Sequence, residues 1–253
     1  MTTLAGHALI TGGGTGIGAA IAQGLAAAGA RVTLVGRRRE PLEATAATID
    51  GAAIAVADVT DPVQVAAAFA AARAAHGPVT ILVNNAGATG SALFAKLDFT
   101  AWRRTMDVNL DALFHCIQSA LPDLKLAAAG RIVTVASTAA LKGYPYVAAY
   151  VAAKHGALGL TRALALELAR TNVTVNAVCP GFTDTDLVAQ SIDAIVAKTG
   201  RDPGTARAEL AAYNPQQRLI DPAEVARAVL WLCAPGSGSI TGQAIAVAGG
   251  EVM

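Results

Sequence analysis

Short apolar runs rich in β-branched residues alternate along this chain with longer, alanine-rich stretches. Alternation of this kind is typical of βαβ units, in which helices cross over between parallel strands. The pattern predicts strands at residues 7–10, 31–35, 53–57, 80–83, 131–136, 173–178 and 244–247. It predicts helices at residues 19–28, 63–76, 102–121, 151–170 and 223–233.

The predicted strands are apolar at nearly every position, which indicates that helices cover both faces of the sheet. The predicted fold class is therefore α/β, a doubly wound parallel sheet of Rossmann type with about seven strands. In such a sheet the ligand lies beyond the carboxyl ends of the strands. A length of 253 residues suits one domain with a full core, so residues 1–253 are expected to form a single domain.

One long connection interrupts the alternation. Residues 183–217 separate the sixth strand from the next helix and include Gly200, Pro203, Gly204 and Pro215. A connection of this length inside a compact domain is usually a binding segment. We predict that residues 183–217 form a substrate lid.

Composition and charge exclude several classes of function. The 19 Lys and Arg residues nearly balance 18 Asp and Glu residues, so we expect no nucleic-acid partner. Mean hydropathy is +0.48, but alanine supplies much of it, and no apolar run is long enough for a membrane span. The first residues lack the pattern of a secretory signal, so a cytoplasmic location is expected.

The cysteines and histidines do not suggest a metal site. Cys116, Cys179 and Cys233 are far apart and form no CxxC pair, so we interpret them as buried small hydrophobes. His7, His76 and His115 lack carboxylate or cysteine partners at ligand spacing, and His155 is interpreted as a packing residue. We therefore predict no metal.

A glycine-rich segment, TGGGTGIG at residues 11–18, joins the first strand to a helix. Glycines permit a tight turn there and let the backbone approach a pyrophosphate at the helix N-terminus. Ile17 stands where the general GxGxxG pattern has glycine, and a plain strand-to-helix turn is the alternative interpretation. The candidate phosphate-binding residues are Gly12, Gly14, Thr15, Gly16, Ile17 and Gly18.

Tyr150 and Lys154 form a candidate acid/base pair. They are four residues apart at the start of a predicted helix, so their side chains share one face. A nearby ammonium favours the phenolate, so we expect Lys154 to lower the pKa of Tyr150. The alternative is a surface aromatic beside a solvated lysine.

These motifs occur with others in a characteristic order. They are Gly12-x-x-x-Gly16-x-Gly18, Asn84-Asn85-Ala86-Gly87, Ser137, Tyr150-x-x-x-Lys154 and Pro180-Gly181. The combination, which extends over essentially the whole chain, resembles the classical short-chain dehydrogenase/reductase family. The resemblance implies an enzyme that transfers a hydride between a nicotinamide and a ketone or secondary alcohol, with Tyr150 as proton donor and acceptor.

The resemblance also implies roles for further residues. Ser137 would bind the substrate oxygen, with Thr138 as the competing hydroxyl, and Asn109 would shape its helix and help hold a water near Lys154. The implied catalytic residues are Ser137, Tyr150, Lys154 and Asn109. The implied contacts beyond the glycine-rich segment are Asn85, Ala86 and Gly87 at the adenosine, Asp58 and Val59 at the adenine, Lys154 at the nicotinamide ribose, and Pro180, Gly181 and Thr183 at the nicotinamide. Tyr150 is implied as a further cofactor contact.

Asp58 has an alternative interpretation as a capping residue before Pro62. The loop containing Lys142, Tyr144 and Tyr146 either meets the substrate or is solvated.

The end of the second strand predicts the cofactor. NAD-specific sites usually have an acidic residue there, which binds the ribose hydroxyls and repels a 2′-phosphate. This chain has Gly36-Arg37-Arg38 instead, and a guanidinium suits bidentate phosphate contact. We predict a preference for NADP(H), with NAD(H) as the alternative, Arg37 as the main contact and Arg38 as the second. Solvated arginines at a helix start are the other interpretation.

Several stretches look like polyketide ketoreductases and 3-oxoacyl-carrier-protein reductases, among them residues 176–182. Aromatic polyketide reductases carry Pro-Gly-Gly shortly after their NNAG motif, whereas this chain has Thr89-Gly90-Ser91. The substrate hypothesis is therefore a 3-oxoacyl thioester or a ketone of similar size. The alternatives are a dehydrogenase that oxidises a hydroxyacyl thioester, sugar or aromatic alcohol, and a non-catalytic nucleotide-binding regulator. A lyase or epimerase would need further acid/base groups, which no motif supplies.

Residues 102–121 and 151–170 are apolar on more than one predicted helix face, which favours an additional partner surface. The family resemblance implies that this partner is another copy of the chain, so we expect a homotetramer, with a dimer as the alternative.

Overall fold

The computed structural model describes residues 4–253 and contains one seven-stranded sheet. The strands are β1 (His7–Thr11), β2 (Arg31–Gly36), β3 (Ala53–Val56), β4 (Ile81–Asn84), β5 (Gly130–Val135), β6 (Val173–Pro180) and β7 (Ala244–Val247). Their order is β3-β2-β1-β4-β5-β6-β7, and every pairing is parallel. The doubly wound α/β fold predicted from the sequence is thereby confirmed, with strand ends that differ by at most two residues.

Helices cover both faces of this sheet. They are α1 (Gly16–Ala27), α2 (Arg39–Ala46), α3 (Pro62–His76), α4 (Phe99–Met106), α5 (Ala112–Leu126), α6 (Ala148–Glu167), α7 (Asp186–Thr199), α8 (Pro203–Ala211) and α9 (Pro222–Cys233). Successive strand residues point to opposite layers: Leu9 packs in the layer that contains Phe69 of α3, and Ile10 in the layer that contains Ile21 of α1. No helix within residues 4–253 is long and apolar enough to cross a membrane.

The order of the strands places the ligand-binding edge. The chain leaves β1 toward β2 on one side, and β4 pairs on the other side. Two loops therefore diverge at the carboxyl ends of β1 and β4 and leave a crevice between them. The glycine-rich segment follows β1, and Asn85–Gly87 follows β4.

The helix predicted at residues 102–121 is present, but it extends beyond both predicted ends and contains a π-helical turn. Asp98 caps α4 by accepting a hydrogen bond from the Ala101 N–H at 2.7 Å, so the helix begins earlier. A π-helical turn, Asp107–Asp111, then separates α4 from α5. Helix α5 continues through Pro122 to Leu126. Turns of this kind often mark functional positions, and this one contains Asn109.

Residues 183–217 contain helices that the glycines and prolines had obscured. Gly200 lies at the C-terminus of α7, with φ of +68°, and Pro203 lies in the first turn of α8. Val188 and Ile192 of α7 pack against Ala206 and Leu210 of α8 in a small separate core. The segment is therefore an ordered helical pair and not an irregular loop.

Candidate active site

The glycine-rich segment forms a turn that requires small residues. Gly12 and Gly16 adopt positive φ, at +64° and +52°. A Cβ on Gly18 would lie 2.1 Å from the Gly12 carbonyl oxygen, so no side chain fits there. Thr15 is the N-cap of α1, but its hydroxyl caps no N–H, and no acidic residue occupies the first turn. This helix N-terminus therefore suits an anion such as a pyrophosphate.

Hydrogen bonds across the crevice hold this turn. The Thr11 hydroxyl accepts bonds from the N–H groups of Asn85 and Ala86, both at 3.0 Å. The Asn85 side-chain amide donates to the carbonyl oxygens of Thr11 and Gly12, at 3.0 and 3.1 Å. The Asn85 side chain thus braces the glycine turn, and its predicted adenosine contact stays a prediction.

A cleft of about 200 Å³ opens above these loops. Its lining comprises Gly12, Gly14, Thr15, Gly36, Arg37, Arg38, Pro41, Leu42, Ala57, Asp58, Val59, Ala86, Gly87 and Val108. Nine of these residues were sequence candidates for cofactor binding. Gly36, Pro41, Leu42, Ala57 and Val108 were not, because small or apolar residues of this kind carry no chemical signal along the chain.

Arg37 and Asp58 approach each other at the rim of this cleft. The Arg37 Nη1 lies 3.9 Å from the Asp58 Oδ2, and the Arg37 side chain is 73% exposed. A pair so exposed contributes little to stability, so the guanidinium remains available to a ligand.

The capping interpretation of Asp58 is wrong. Asp61 caps α3 by accepting bonds from the N–H groups of Val63 and Gln64. Asp58 instead accepts two bonds from Thr60, one from its N–H and one from its hydroxyl.

Ser137, Tyr150 and Lys154 come together at the carboxyl end of β5. Lys154 Nζ lies 5.6 Å from the centre of the Tyr150 ring and donates to the Val135 carbonyl oxygen at 3.1 Å. The Lys154 residue is only 4% exposed. The Ser137 Oγ accepts from the Ala139 N–H at 3.0 Å, which leaves its own proton free to donate. Tyr150 is half-buried beside them.

The pKa values of this pair differ from the sequence expectation. Burial raises the pKa of the Tyr150 phenol, and a hydrogen bond with Ser137 only partly opposes that increase. Burial also lowers the pKa of Lys154 to about 8. The expected lowering of the Tyr150 pKa is therefore wrong for this structure, because the loss of hydration on burial is the largest influence on that pKa.

Asn109 links the π-helical turn to the loop after β4. Its amide donates to the carbonyl oxygens of Ala88 and Thr105, at 2.8 and 2.9 Å. A Cβ on Gly87 would lie 3.0 Å from the Asn109 Oδ1 and 3.7 Å from Lys154 Nζ. Asn109, Gly87 and Lys154 thus converge, whereas the predicted water stays a prediction.

The loop after β6 lies at the same edge of the sheet. Pro180 ends β6, and the Gly181 N–H donates to the Val247 carbonyl oxygen at 3.0 Å. The Thr183 hydroxyl donates back to the Gly181 carbonyl oxygen at 3.0 Å. These bonds fix the loop on which nicotinamide contacts were predicted.

A polar cluster at this edge was not predicted from the sequence. The Tyr144 hydroxyl bonds with the Thr138 Oγ1 and with the carboxylate of Glu251. Lys142 Nζ lies 3.1 Å from the same Glu251 Oε1. Glu251 follows β7, far along the chain from the other members, and no local motif could have indicated it.

Comparison with known proteins agrees with this geometry. The family model described as short chain dehydrogenase matches residues 6–195. A Streptomyces violaceoruber protein, assigned as ketoacyl reductase 1 of the granaticin polyketide synthase, is 39% identical, with 96% of this chain and 92% of that protein covered. The D-beta-hydroxybutyrate dehydrogenase of Rhizobium meliloti is 36% identical, with 96% and 97% covered.

A solved structure is also similar over its whole length. A variant of the actinorhodin polyketide ketoreductase, crystallised with NADPH, superposes with a TM-score of 0.93 at 37% identity, and 99% of each chain is covered. The resemblance inferred from the motifs is thus confirmed. The chain belongs to the short-chain dehydrogenase family and is an oxidoreductase.

Proposed function

We propose that this protein is an NADP(H)-dependent ketoreductase that converts a 3-oxoacyl thioester, or a ketone of similar size, to the hydroxy compound. The observation that carries the proposal is the juxtaposition of Ser137, Tyr150 and Lys154 at the carboxyl end of β5. Two donors for a substrate oxygen, Ser137 and Tyr150, lie there, and the buried Lys154 ammonium lies 5.6 Å from the centre of the Tyr150 ring.

The chain's own residues supply the proton chemistry in this proposal. Ser137 donates a hydrogen bond to the carbonyl oxygen as negative charge develops there. The raised pKa of Tyr150 keeps the phenol protonated, so it can transfer its proton to that oxygen. The Lys154 ammonium then stabilises the resulting phenolate. The bound nicotinamide nucleotide supplies the hydride.

The cleft residues fit that nucleotide. Gly12, Gly16 and Gly18 leave backbone room at the uncapped N-terminus of α1, where a pyrophosphate is stabilised. Arg37 and Arg38 line the part of the cleft that follows β2, without a neighbouring carboxylate on that strand. They suit a 2′-phosphate, and the solved relative that contains NADPH supports this choice.

A turnover screen tests the proposal. Purified enzyme should reduce acetoacetyl-CoA or a cyclic ketone with NADPH, and the Tyr150→Phe variant serves as the inactive control. Failure to reduce any 3-oxoacyl thioester or ketone, while an alcohol is oxidised, would contradict the reductase assignment.

The oxidative direction is the second candidate, and the similarity to D-beta-hydroxybutyrate dehydrogenase favours it. The same residues would work in reverse, with Tyr150 as base. Measuring kcat/KM in both directions at one pH separates the two: a larger value for 3-hydroxybutyrate with NAD⁺ would favour the dehydrogenase. A regulator without catalysis is the least supported alternative, because it would not require the Tyr150–Lys154 pair.

The proposal includes residues 183–217 as a substrate lid. The segment starts two residues after Gly181, and the small core shared by α7 and α8 would allow them to move as a unit. Exchanging it for the segment of a relative should transfer that relative's substrate profile. An unchanged profile would shift attention to residues 91–94 and 142–146.

We also propose a cytoplasmic homotetramer. Phe114 of α5 and Leu166 of α6 are 52% and 81% exposed, which supports a further contact surface on these helices. Light scattering that gives a stable monomer would contradict the assembly.

The cytoplasmic location is supported by the three cysteines, which are free, as is usual in a reducing compartment. Cell fractionation tests the cytoplasmic location.

A further inference from the structure

The carboxylate of Glu251 is buried at the edge of the proposed substrate site. Its side chain is 1% exposed. One oxygen, Oε1, receives both polar contacts, from the Tyr144 hydroxyl and from Lys142 Nζ. The other oxygen, Oε2, is buried without a hydrogen-bond partner among residues 4–253 and lies against Gly181, where a Cβ would be 3.0 Å away.

Burying a carboxylate with one unsatisfied oxygen is costly. A surface salt bridge would give Lys142 a partner without that cost. The buried position of the Glu251 carboxylate therefore needs a reason other than its ion pair with Lys142.

Two glycines place Glu251 there. Gly249 and Gly250 both have positive φ, at +58° and +93°. A Cβ on Gly249 would lie 1.9 Å from the Oδ1 of the buried Asn214, so only glycine fits at this position of the turn. The Glu251 N–H then donates to the Ala248 carbonyl oxygen at 3.1 Å, which fixes its backbone.

The contacts continue from Glu251 to Ser137 through two residues. Tyr144 donates to Glu251, so its hydroxyl oxygen accepts from the Thr138 hydroxyl at 2.6 Å. The Thr138 carbonyl oxygen also accepts bonds from the N–H groups of Leu141 and Lys142, at 2.9 and 3.0 Å. Thr138 is thus held at both its side chain and its backbone. It is the immediate neighbour of Ser137, whose Oγ is fixed by the Ala139 N–H.

We propose that Glu251 is a positioning residue for Ser137. By holding Tyr144 and Lys142, its carboxylate fixes the turn Thr138–Ala140 and so aims the Ser137 hydroxyl at the substrate oxygen. The inference rests on the proposed reductase function, because only a substrate oxygen gives that orientation a purpose. It assigns no direct contact between Glu251 and the substrate.

A comparison of variants in two backgrounds tests the inference. Glu251→Leu removes the acceptor and should lower kcat for ketone reduction by about 10²-fold, the size of effect that a misplaced catalytic group produces. Glu251→Gln should retain most activity, because its amide oxygen can occupy the Oε1 position and still accept from Tyr144. The matched control is Glu167→Gln, at an exposed position on α6, and it should leave kcat unchanged.

The decisive background is Ser137→Ala. If Glu251 acts through Ser137, adding Glu251→Leu to Ser137→Ala should leave the residual kcat nearly unchanged, while NADPH binding is preserved. An equal loss of kcat in both backgrounds would indicate a general structural role and overturn the proposal. A Glu251→Leu enzyme with normal kcat in the Ser137 background would overturn it as well.

Tyr144→Phe provides a second route if Glu251→Leu does not fold. It keeps the ring, which packs near Phe182 and Tyr213, and deletes only the hydroxyl between Thr138 and Glu251. It should lower kcat in the Ser137 background and not in the Ser137→Ala background. If the unmodified enzyme reduces no ketone, the proposed function fails and this inference fails with it; if it reduces ketones normally but the variants do not behave as described, only this inference fails.

Discussion

Lys154 Nζ lies 5.6 Å from the centre of the Tyr150 ring and is held in place by the Val135 carbonyl oxygen. The ammonium thus lies over the ring of the phenol and donates a hydrogen bond to the main chain. In the proposed mechanism this relationship separates the tasks of the pair: Tyr150 would move the proton, and Lys154 would stabilise the charge that remains.

Replacing Tyr150 with Phe should abolish most of the activity. The ring still packs, but the transferable proton is gone, so kcat should fall by about 10²-fold or more, while NADPH still binds. Steady-state kinetics and a fluorescence titration with NADPH measure the two quantities. Glu167→Gln, at an exposed position on α6, is the control. Near-normal turnover by Tyr150→Phe would refute the mechanism.

Cofactor preference should depend on Arg37. The double variant Gly36→Asp, Arg37→Ile supplies a carboxylate for ribose hydroxyls and removes the guanidinium, so the NADPH to NADH ratio of kcat/KM should fall by about tenfold or more. A Cβ on Gly36 would lie 3.3 Å from the Cδ2 of the buried Leu42, so Asp requires that side chain to shift by a few tenths of an ångström.

Arg39→Ile is the control for this change, since Arg39 is exposed and paired with Glu43 in α2. It should leave the ratio of kcat/KM intact. If the unmodified enzyme had a higher kcat/KM with NADH than with NADPH, the proposed NADP(H) preference would be refuted, and the assignment of the fold would be unaffected.

Lys154 should make stability depend on alkaline pH. Its pKa is about 8 in the folded protein and 10.5 ordinarily, so between these values the unfolded chain binds the extra proton. The free energy of unfolding of the unmodified protein, relative to that of Lys154→Met, should therefore rise from pH 8 to 10.5. Urea titrations at several pH values measure it. The hydrogen bond to Val135 that Lys154→Met loses adds only a constant offset to this difference in unfolding free energy. A difference that does not change with pH would contradict the lowered pKa of Lys154.

His7 should destabilise the protein in mild acid. Its ring is buried between the Gly77 carbonyl and the Thr33 hydroxyl, and burial lowers its pKa to about 4. Stability is then fully present above pH 6.5 and is lost as pH falls toward 4, on the order of 3 kcal/mol over that window. The His7→Gln variant should lack this dependence of the unfolding free energy on pH, whereas the exposed His155→Gln variant should keep it. Identical pH profiles for His7→Gln and the unmodified protein would contradict the lowered pKa of His7.

Repeating local patterns made the fold predictable from sequence. Strands such as residues 173–178 are apolar at most positions and rich in valine, a composition that favours a buried strand in a chain whose helices are rich in alanine. Helix α2 was missed because its first residues, Arg39 and Glu40, lie in a charged run that hides the helical period. The π-helical turn was missed because the apolar pattern of residues 102–121 passes through it unchanged.

Some residues of the candidate site could be predicted from the sequence and others could not. Gly12, Tyr150 and Lys154 belong to short motifs, so their spacing along the chain indicates their chemistry. Glu251 reaches Tyr144 only because β7 lies beside β6 and a turn with two positive-φ glycines follows. Such contacts depend on tertiary structure, and no window of sequence contains both partners.

The hydrogen bonds from Asn85 and Ala86 to Thr11 have a consequence for folding. They join residues 74 and 75 positions apart in the chain, and they support the turn that would hold the nucleotide phosphates. Closing so long a loop has a high entropic cost before any contact compensates for it. Nucleotide affinity should therefore emerge only after β4 has paired with β1, so an incompletely folded chain with its local helices already formed would not yet retain cofactor.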